Sequence, residues 1–158
     1  MRVFFLIMRR ISRPDFQEEQ VRKVNLIIVY SADERRVLMC RRTRPPYSGK
    51  LNFVGGKVED GEREIDAAYR ELFEETGISS CDIRLTHVMN FQYQLSAIEL
   101  EVFAGRLSRE VALREEANPL FWIDRQSDFC DTSRFAGDCN IAHMLCQVDF
   151  YRDVIFQA

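Results

Sequence analysis

The stretch from Gly56 to Ile78, GKVEDGEREIDAAYRELFEETGI, constrains this chain more than any other part of it. Between Arg63 and Thr76 the apolar residues Ile65, Ala68, Tyr69, Leu72 and Phe73 recur at helical spacing, and Gly77 stands where a left-handed C-cap belongs. The spacing predicts a helix whose apolar stripe must lie on another layer. Glu71, Glu74 and Glu75 ride on the same helix at i, i+3 and i+4. At about 100° per residue their carboxylates share one arc roughly 100° wide, bordering the stripe and so meeting at the rim of the core. Like charges so placed repel by a few tenths of a kcal/mol per pair on an isolated helix. Hard oxygen donors at this density suit Mg²⁺ or Mn²⁺, which would neutralise the cluster and could bridge it to phosphate oxygens. The competing reading of a glutamate run is a solvated helix face.

The rest of the chain predicts a mixed sheet with helices packed on it. Val24 to Tyr30 (VNLIIVY) is nearly continuous and β-branched, as in a strand covered on both faces, and Ser31 to Arg36 joins it to Val37 to Arg41 as a hairpin. Pro45 to Gly61, rich in proline and glycine, forms a long shaped loop. Ile83, Leu85, His87, Met89, Phe91 and Tyr93 alternate with polar neighbours and predict one strand face, on which His87 and Tyr93 belong to the core. Ile98 to Ala104 repeats the pattern, Leu120 to Ile123 adds a short strand, and Asn140 caps a last helix with the stripe Ile141, Met144, Leu145 and Val148.

No repeat or linker divides the 158 residues, and 46% hydrophobic content suffices for one core, so residues 1–158 are read as a single domain. With 22 Lys plus Arg against 25 Asp plus Glu, no broad basic surface exists for duplex nucleic acid. Five cysteines, odd in number and without a C-x-x-C pair, read as reduced thiols of a cytoplasmic protein. The apolar run Val3 to Met8 is shorter than the ~7 to 15 residues of a secretory core or the ~20 of a membrane span, so it is read as a first strand or docked arm, with no membrane partner. A homodimer is left open.

The wider pattern decides between metal cluster and solvated face. Gly56, Glu62, Arg70, Glu71, Leu72, Glu74, Glu75, Gly77 and Ile78 match G-x5-E-x7-R-E-U-x-E-E-x-G-U, where U is a bulky aliphatic, at every fixed position. Chance gives such a match at a given start on the order of once in a billion. The pattern resembles the signature of the Nudix hydrolases, with Nudix box 56–78. The resemblance implies an α/β/α sandwich with a mixed sheet and metal-assisted cleavage of a phosphoanhydride in a nucleoside diphosphate derivative. It implies Glu74 and Glu75 as carboxylate ligands, Glu71 as a ligand or the base that takes water's proton, the Gly55 carbonyl as a further ligand, and Arg70 paired with Glu62 to brace loop against helix. Glu115 or Glu116 occupies the region where members place one more metal-binding glutamate, with Glu116 preferred. The chemistry agrees: phosphoanhydride cleavage needs charge stabilisation and an aligned water more than covalent help from the protein.

Arg41 and Arg42, with KLNFVGGK at Lys50 to Lys57, resemble the MutT-type nucleoside triphosphate pyrophosphatases within that family. This implies that Arg42 holds phosphate, Phe53 lies against the base, Asn52 reads a base edge as in enzymes that clear oxidised purine nucleotides such as 8-oxo-dGTP, and Gly56 lets backbone approach the phosphates. Val54 departs from a common proline. Two alternatives stand beside this one. Nudix enzymes also act on nucleotide sugars, dinucleoside polyphosphates or capped RNA, and some Nudix-like modules sense a nucleotide without cutting it.

Overall fold

The computed structural model describes residues 21–157, so the run Val3 to Met8 lies outside the described part. Its strands are β1 (Arg22–Tyr30), β2 (Arg36–Arg41), β3 (Leu51–Asn52), β4 (Thr86–Tyr93), β5 (Ile98–Arg106) and β6 (Leu120–Asp124). Its helices are α1 (Glu64–Thr76), α2 (Asn140–Phe150) and the short α3 (Arg152–Ile155). The β1–β2 hairpin forms as expected, antiparallel with Tyr30 opposite Val37. It is closed by Ser31, whose N–H donates to the Arg36 carbonyl at 2.9 Å. β1 then runs parallel to β5 in one register, from Arg22 opposite Ile98 to Tyr30 opposite Arg106. The order β3-β2-β1-β5-β4, with β6 also paired to β2, makes a mixed sheet.

Two-residue periodicity sends alternate side chains to opposite faces, and each face has its own core. Ile28 and Tyr30 of β1, with Val37 and Met39 of β2, meet Ile141, Met144, Leu145 and Val148 of α2 and Ile155 of α3. Ile27, Val29 and Leu38 face the other way, onto Ala68 and Leu72 of α1. The result is the expected α/β/α sandwich. Leu72 is fully buried, which stabilises α1 on the sheet by about 1.5 to 3 kcal/mol. α1 ends because Gly77 turns left-handed at φ 75° and returns its N–H to the Phe73 carbonyl, while Thr76 Oγ1 donates to the Leu72 carbonyl at 2.6 Å.

Several local expectations need correction. The predicted single face from Ile83 to Tyr93 is broken by a bulge between His87 and Met89, where β4 shifts register on β5. The extra residue flips every later side chain, so Ile83 and Leu85 join the α1-side core while Met89 and Phe91 pack on the α2 side. His87 is exposed rather than core, and its ring meets the Glu101 carboxylate and the edge of Phe103. Tyr93, also read as core, is 39% exposed. Phe73 is likewise exposed, beneath the Arg114 guanidinium. Asn140 is the first residue of α2 instead of its cap. The cap is Cys139 at φ 71°, and the Asn140 amide donates instead to the Tyr93 hydroxyl at 3.3 Å.

Candidate active site

The segment from Val54 to Lys57 takes the place of β2 along the first half of β1, bridging antiparallel at Ile27–Val54 and Val24–Lys57. Chain direction then carries Val58 to Arg63 over to α1, which lies on the same face. Arg70 locks these pieces together. Its Nε and Nη2 grip both oxygens of Glu62 at 3.0 and 2.9 Å, and Nη2 also donates to the Lys57 carbonyl at 3.0 Å. Nη1 reaches Glu71 at 2.7 Å and Glu74 at 3.2 Å. The guanidinium holds the Glu62 carboxyl below the usual carboxylate range, and the surrounding carboxylates hold the Arg70 cation firmly protonated. A bidentate, charge-assisted pair of this kind fixes orientation as well as distance.

Glu75 sits deeper, half-buried, with Oε2 accepting the Gly55 N–H at 2.9 Å. Burial pushes its carboxyl up to about 7. The Gly55 N–H opposes that rise, and the charges of Glu71 and Glu116 add to it. Gly55 is required by close approach to backbone, and Gly56 by the present position of the Glu71 carboxylate. A methyl at Gly56 would stand 2.2 Å from Glu71 Oε2, and one at Gly55, where φ is 139°, would stand 2.3 Å from the Asn25 carbonyl. The sequence reading missed Asn25. It is 1% exposed in the apolar run of β1, donates its N–H to the Gly56 carbonyl at 2.8 Å, and accepts the Gly56 N–H on Oδ1 at 3.1 Å. The only signal for it in the sequence is an asparagine inside VNLIIVY.

Among the described residues, no three acidic, histidine or cysteine side chains converge closely enough to hold an ion as they stand. Arg70 Nη1 engages Glu71 and Glu74, while Glu75 bonds instead to the Gly55 N–H. The donors still fit a hard divalent cation. Glu75 is a half-buried carboxylate with no cationic side chain bonded to it among the described residues, Glu71 fills the cradle that a Gly56 side chain would block, and every donor is oxygen.

The remaining predicted residues divide. Glu115 Oε1 accepts the Leu120 N–H at 2.8 Å and so secures the start of β6, whereas the Glu116 charge acts on Glu75. Arg42 also acts on Glu75, and its Nε donates to the Pro46 carbonyl at 2.8 Å. Asn52 lies on β3 opposite Cys40, its Oδ1 accepting the Phe53 N–H at 2.9 Å. Phe53 does not offer a face to a base: its ring is 2% exposed and packed in the α2-side core, so here it is a packing residue. A cavity of about 470 Å³ opens beside the start of β1, lined by Lys23, Lys57, Glu59 and Asp60, and none of the α1 glutamates lines it.

Fold, loop and glutamate-bearing helix together define a Nudix-type site. Residues 20–127 match the family model described as NUDIX domain, and the chain belongs to the Nudix hydrolase family. It is 35% identical over 107 residues to an oxidized purine nucleoside triphosphate hydrolase of Mus musculus, covering 66% of this chain and 69% of that protein. A Danio rerio protein of the same description is 31% identical over 102 residues, covering 63% of this chain and 65% of its own length, just under two thirds. Among solved structures, a C. elegans Ap4A hydrolase binary complex superimposes with a TM-score of 0.66 at 17% identity, covering 83% of this chain and 98% of that one. The NUDIX domain of Shewanella oneidensis NrtR with ADP ribose gives 0.63 at 13% identity, covering 82% and 87%. These two structural likenesses speak to fold.

Proposed function

We propose that the chain is a metal-dependent pyrophosphohydrolase of nucleoside triphosphates, with oxidised purine nucleotides such as 8-oxo-dGTP as its substrate class. The observation that carries the reading is the lock in which one guanidinium joins Glu62, Glu71, Glu74 and the Lys57 carbonyl, beside a half-buried Glu75 held on the Gly55 N–H. A solvated helix face has no use for such an arrangement. Glu71, Glu74, Glu75, Glu116 and the Gly55 carbonyl would hold Mg²⁺ or Mn²⁺, which when bound neutralises phosphate oxygens and makes a water more acidic. Arg70 keeps loop and helix in one register, so that carboxylates and glycine backbone face the same substrate phosphates. Glu71 serves as a ligand or as the base that takes water's proton when water attacks one phosphorus and the other phosphate leaves. Arg42 would pair with phosphate. With its oxygen engaged on Phe53 N–H, the Asn52 NH₂ would be the end that meets a base edge.

The substrate class is supported by the relatives described as oxidized purine nucleoside triphosphate hydrolases. The partner is then a small nucleotide, in keeping with the balanced charge. None of the described helices is long and apolar enough to cross a membrane, and the free cysteines agree with a reducing, cytoplasmic setting. The test is hydrolysis of dGTP, 8-oxo-dGTP, ADP-ribose and a dinucleoside polyphosphate in Mg²⁺ and in excess EDTA. The expected result is the highest kcat/KM on 8-oxo-dGTP and none in EDTA. A higher value on ADP-ribose or the dinucleoside polyphosphate would replace the substrate class, and turnover in EDTA would remove the metal. Nucleotide binding with no hydrolysis of any compound would make the chain a sensing module.

A further inference from the structure

Along the first half of β1 the pairing with the Val54–Lys57 segment is regular at both ends and irregular in the middle. Ile27 N–H reaches the Val54 carbonyl and Asn25 N–H reaches the Gly56 carbonyl, each at 2.8 Å, as in a ladder. The next ladder bond would run from Gly56 N–H to the Asn25 main-chain carbonyl. It runs instead to Asn25 Oδ1 at 3.1 Å. Substituting a side-chain acceptor for a backbone one lets the Gly55–Gly56 peptide leave the ladder, with Gly55 at φ 139°, a region favoured by glycine. Among the described residues no donor is bonded to the Gly55 carbonyl.

A second observation shows what this arrangement sacrifices. Because the Gly56 N–H is a donor, the Asn25 amide must turn its oxygen to it. Its Nδ2 is then buried with no hydrogen-bond partner. Asn25 shares its strand face with Ile27 and Val29, where an aliphatic side chain would avoid that penalty.

The geometry points to Asn25 as a positioning residue: its side-chain carbonyl sets the Gly55–Gly56 peptide, and thereby aims the Gly55 carbonyl at the ion held beside Glu75. This rests on the reading of Gly55 and the α1 glutamates as a metal centre. Asn25 touches neither substrate nor ion and acts only through the glycine peptide.

The test compares wild type with Asn25→Leu, which keeps the branching and heavy-atom count without an acceptor, and with Asn25→Asp, which retains one. Mn²⁺ affinity is measured by loss of the free-ion EPR signal, exchange of the Gly56 amide by NMR, and Tm without metal. Asn25→Leu should bind Mn²⁺ at least ~10-fold more weakly, as losses of supporting partners around metal ligands do. Its Gly56 amide should exchange faster. Asn25→Asp should keep both properties at or above wild-type level. If the leucine variant does not fold, Asn25→Ala takes its place in the same comparison. Wild-type Mn²⁺ affinity in a folded acceptor-free variant, with or without a lower Tm, overturns the role of Asn25 and leaves the metal centre standing. Absence of Mn²⁺ binding by wild type overturns both.

Discussion

Replacing Glu75 with glutamine should raise stability and abolish activity together. In the metal-free protein the Glu75 carboxyl titrates at about 7 against an ordinary 4.5, chiefly because it is buried. A folded-state value above the unfolded one means that ionisation works against folding. The penalty is absent below pH 4.5, where both states are protonated, grows between 4.5 and 7, and is constant above. At 1.36 kcal/mol per unit it reaches an upper limit of about 3 kcal/mol. Glutamine keeps an oxygen for the Gly55 N–H and places an amide donor toward the charges of Glu71 and Glu116. At roughly 2 to 4 °C per kcal/mol for a domain of this size, metal-free Glu75→Gln should melt as much as about 10 °C above wild type at pH 8, and the gap should close toward pH 4.5. Mg²⁺ stabilises whatever binds it by mass action, so its Tm increment should shrink in the variant. kcat should fall at least ~10²-fold. Differential scanning fluorimetry at both pH values, with and without Mg²⁺, gives the stabilities, and pyrophosphate release gives the rate. A variant that melts below wild type at pH 8 without metal, or a gap no larger at pH 8 than at pH 4.5, would refute the reasoning.

Arg70→Lys should lower kcat/KM by tenfold or more despite the kept charge, because one ammonium cannot grip both Glu62 oxygens while also reaching Glu71 and Glu74; wild-type kinetics would remove the bracing role. Phe53→Ala should lose about 3 to 5 kcal/mol of stability, as a fully buried phenylalanine does, while its folded fraction at low temperature keeps nucleotide affinity within a few-fold. Urea titration checks the first part and isothermal calorimetry the second, and a stable variant with lost affinity would return Phe53 to the base.

α1 was legible because its determinants are local: apolar residues at 3.6-residue spacing, a glycine able to turn left-handed after Thr76, and three glutamates whose common arc follows from helix geometry alone. The Glu62–Arg70 pair was legible only through resemblance, and the strands from their composition and alternation. Tertiary structure decided whatever depends on register between distant segments. The extra residue at the β4 bulge is set by pairing with β5, and it moved Met89 and Phe91 to the opposite face. Phe53 entered the core because β3 lies on the edge of β2, above α2. Of two adjacent glutamates, Glu115 accepts the Leu120 N–H, a difference from Glu116 that neither residue type nor spacing reveals. Asn25 is the clearest case. In the one-dimensional chain it is a blemish in a strand 31 residues from Gly56, and only the packing of that loop against β1 gives its side chain a donor to hold.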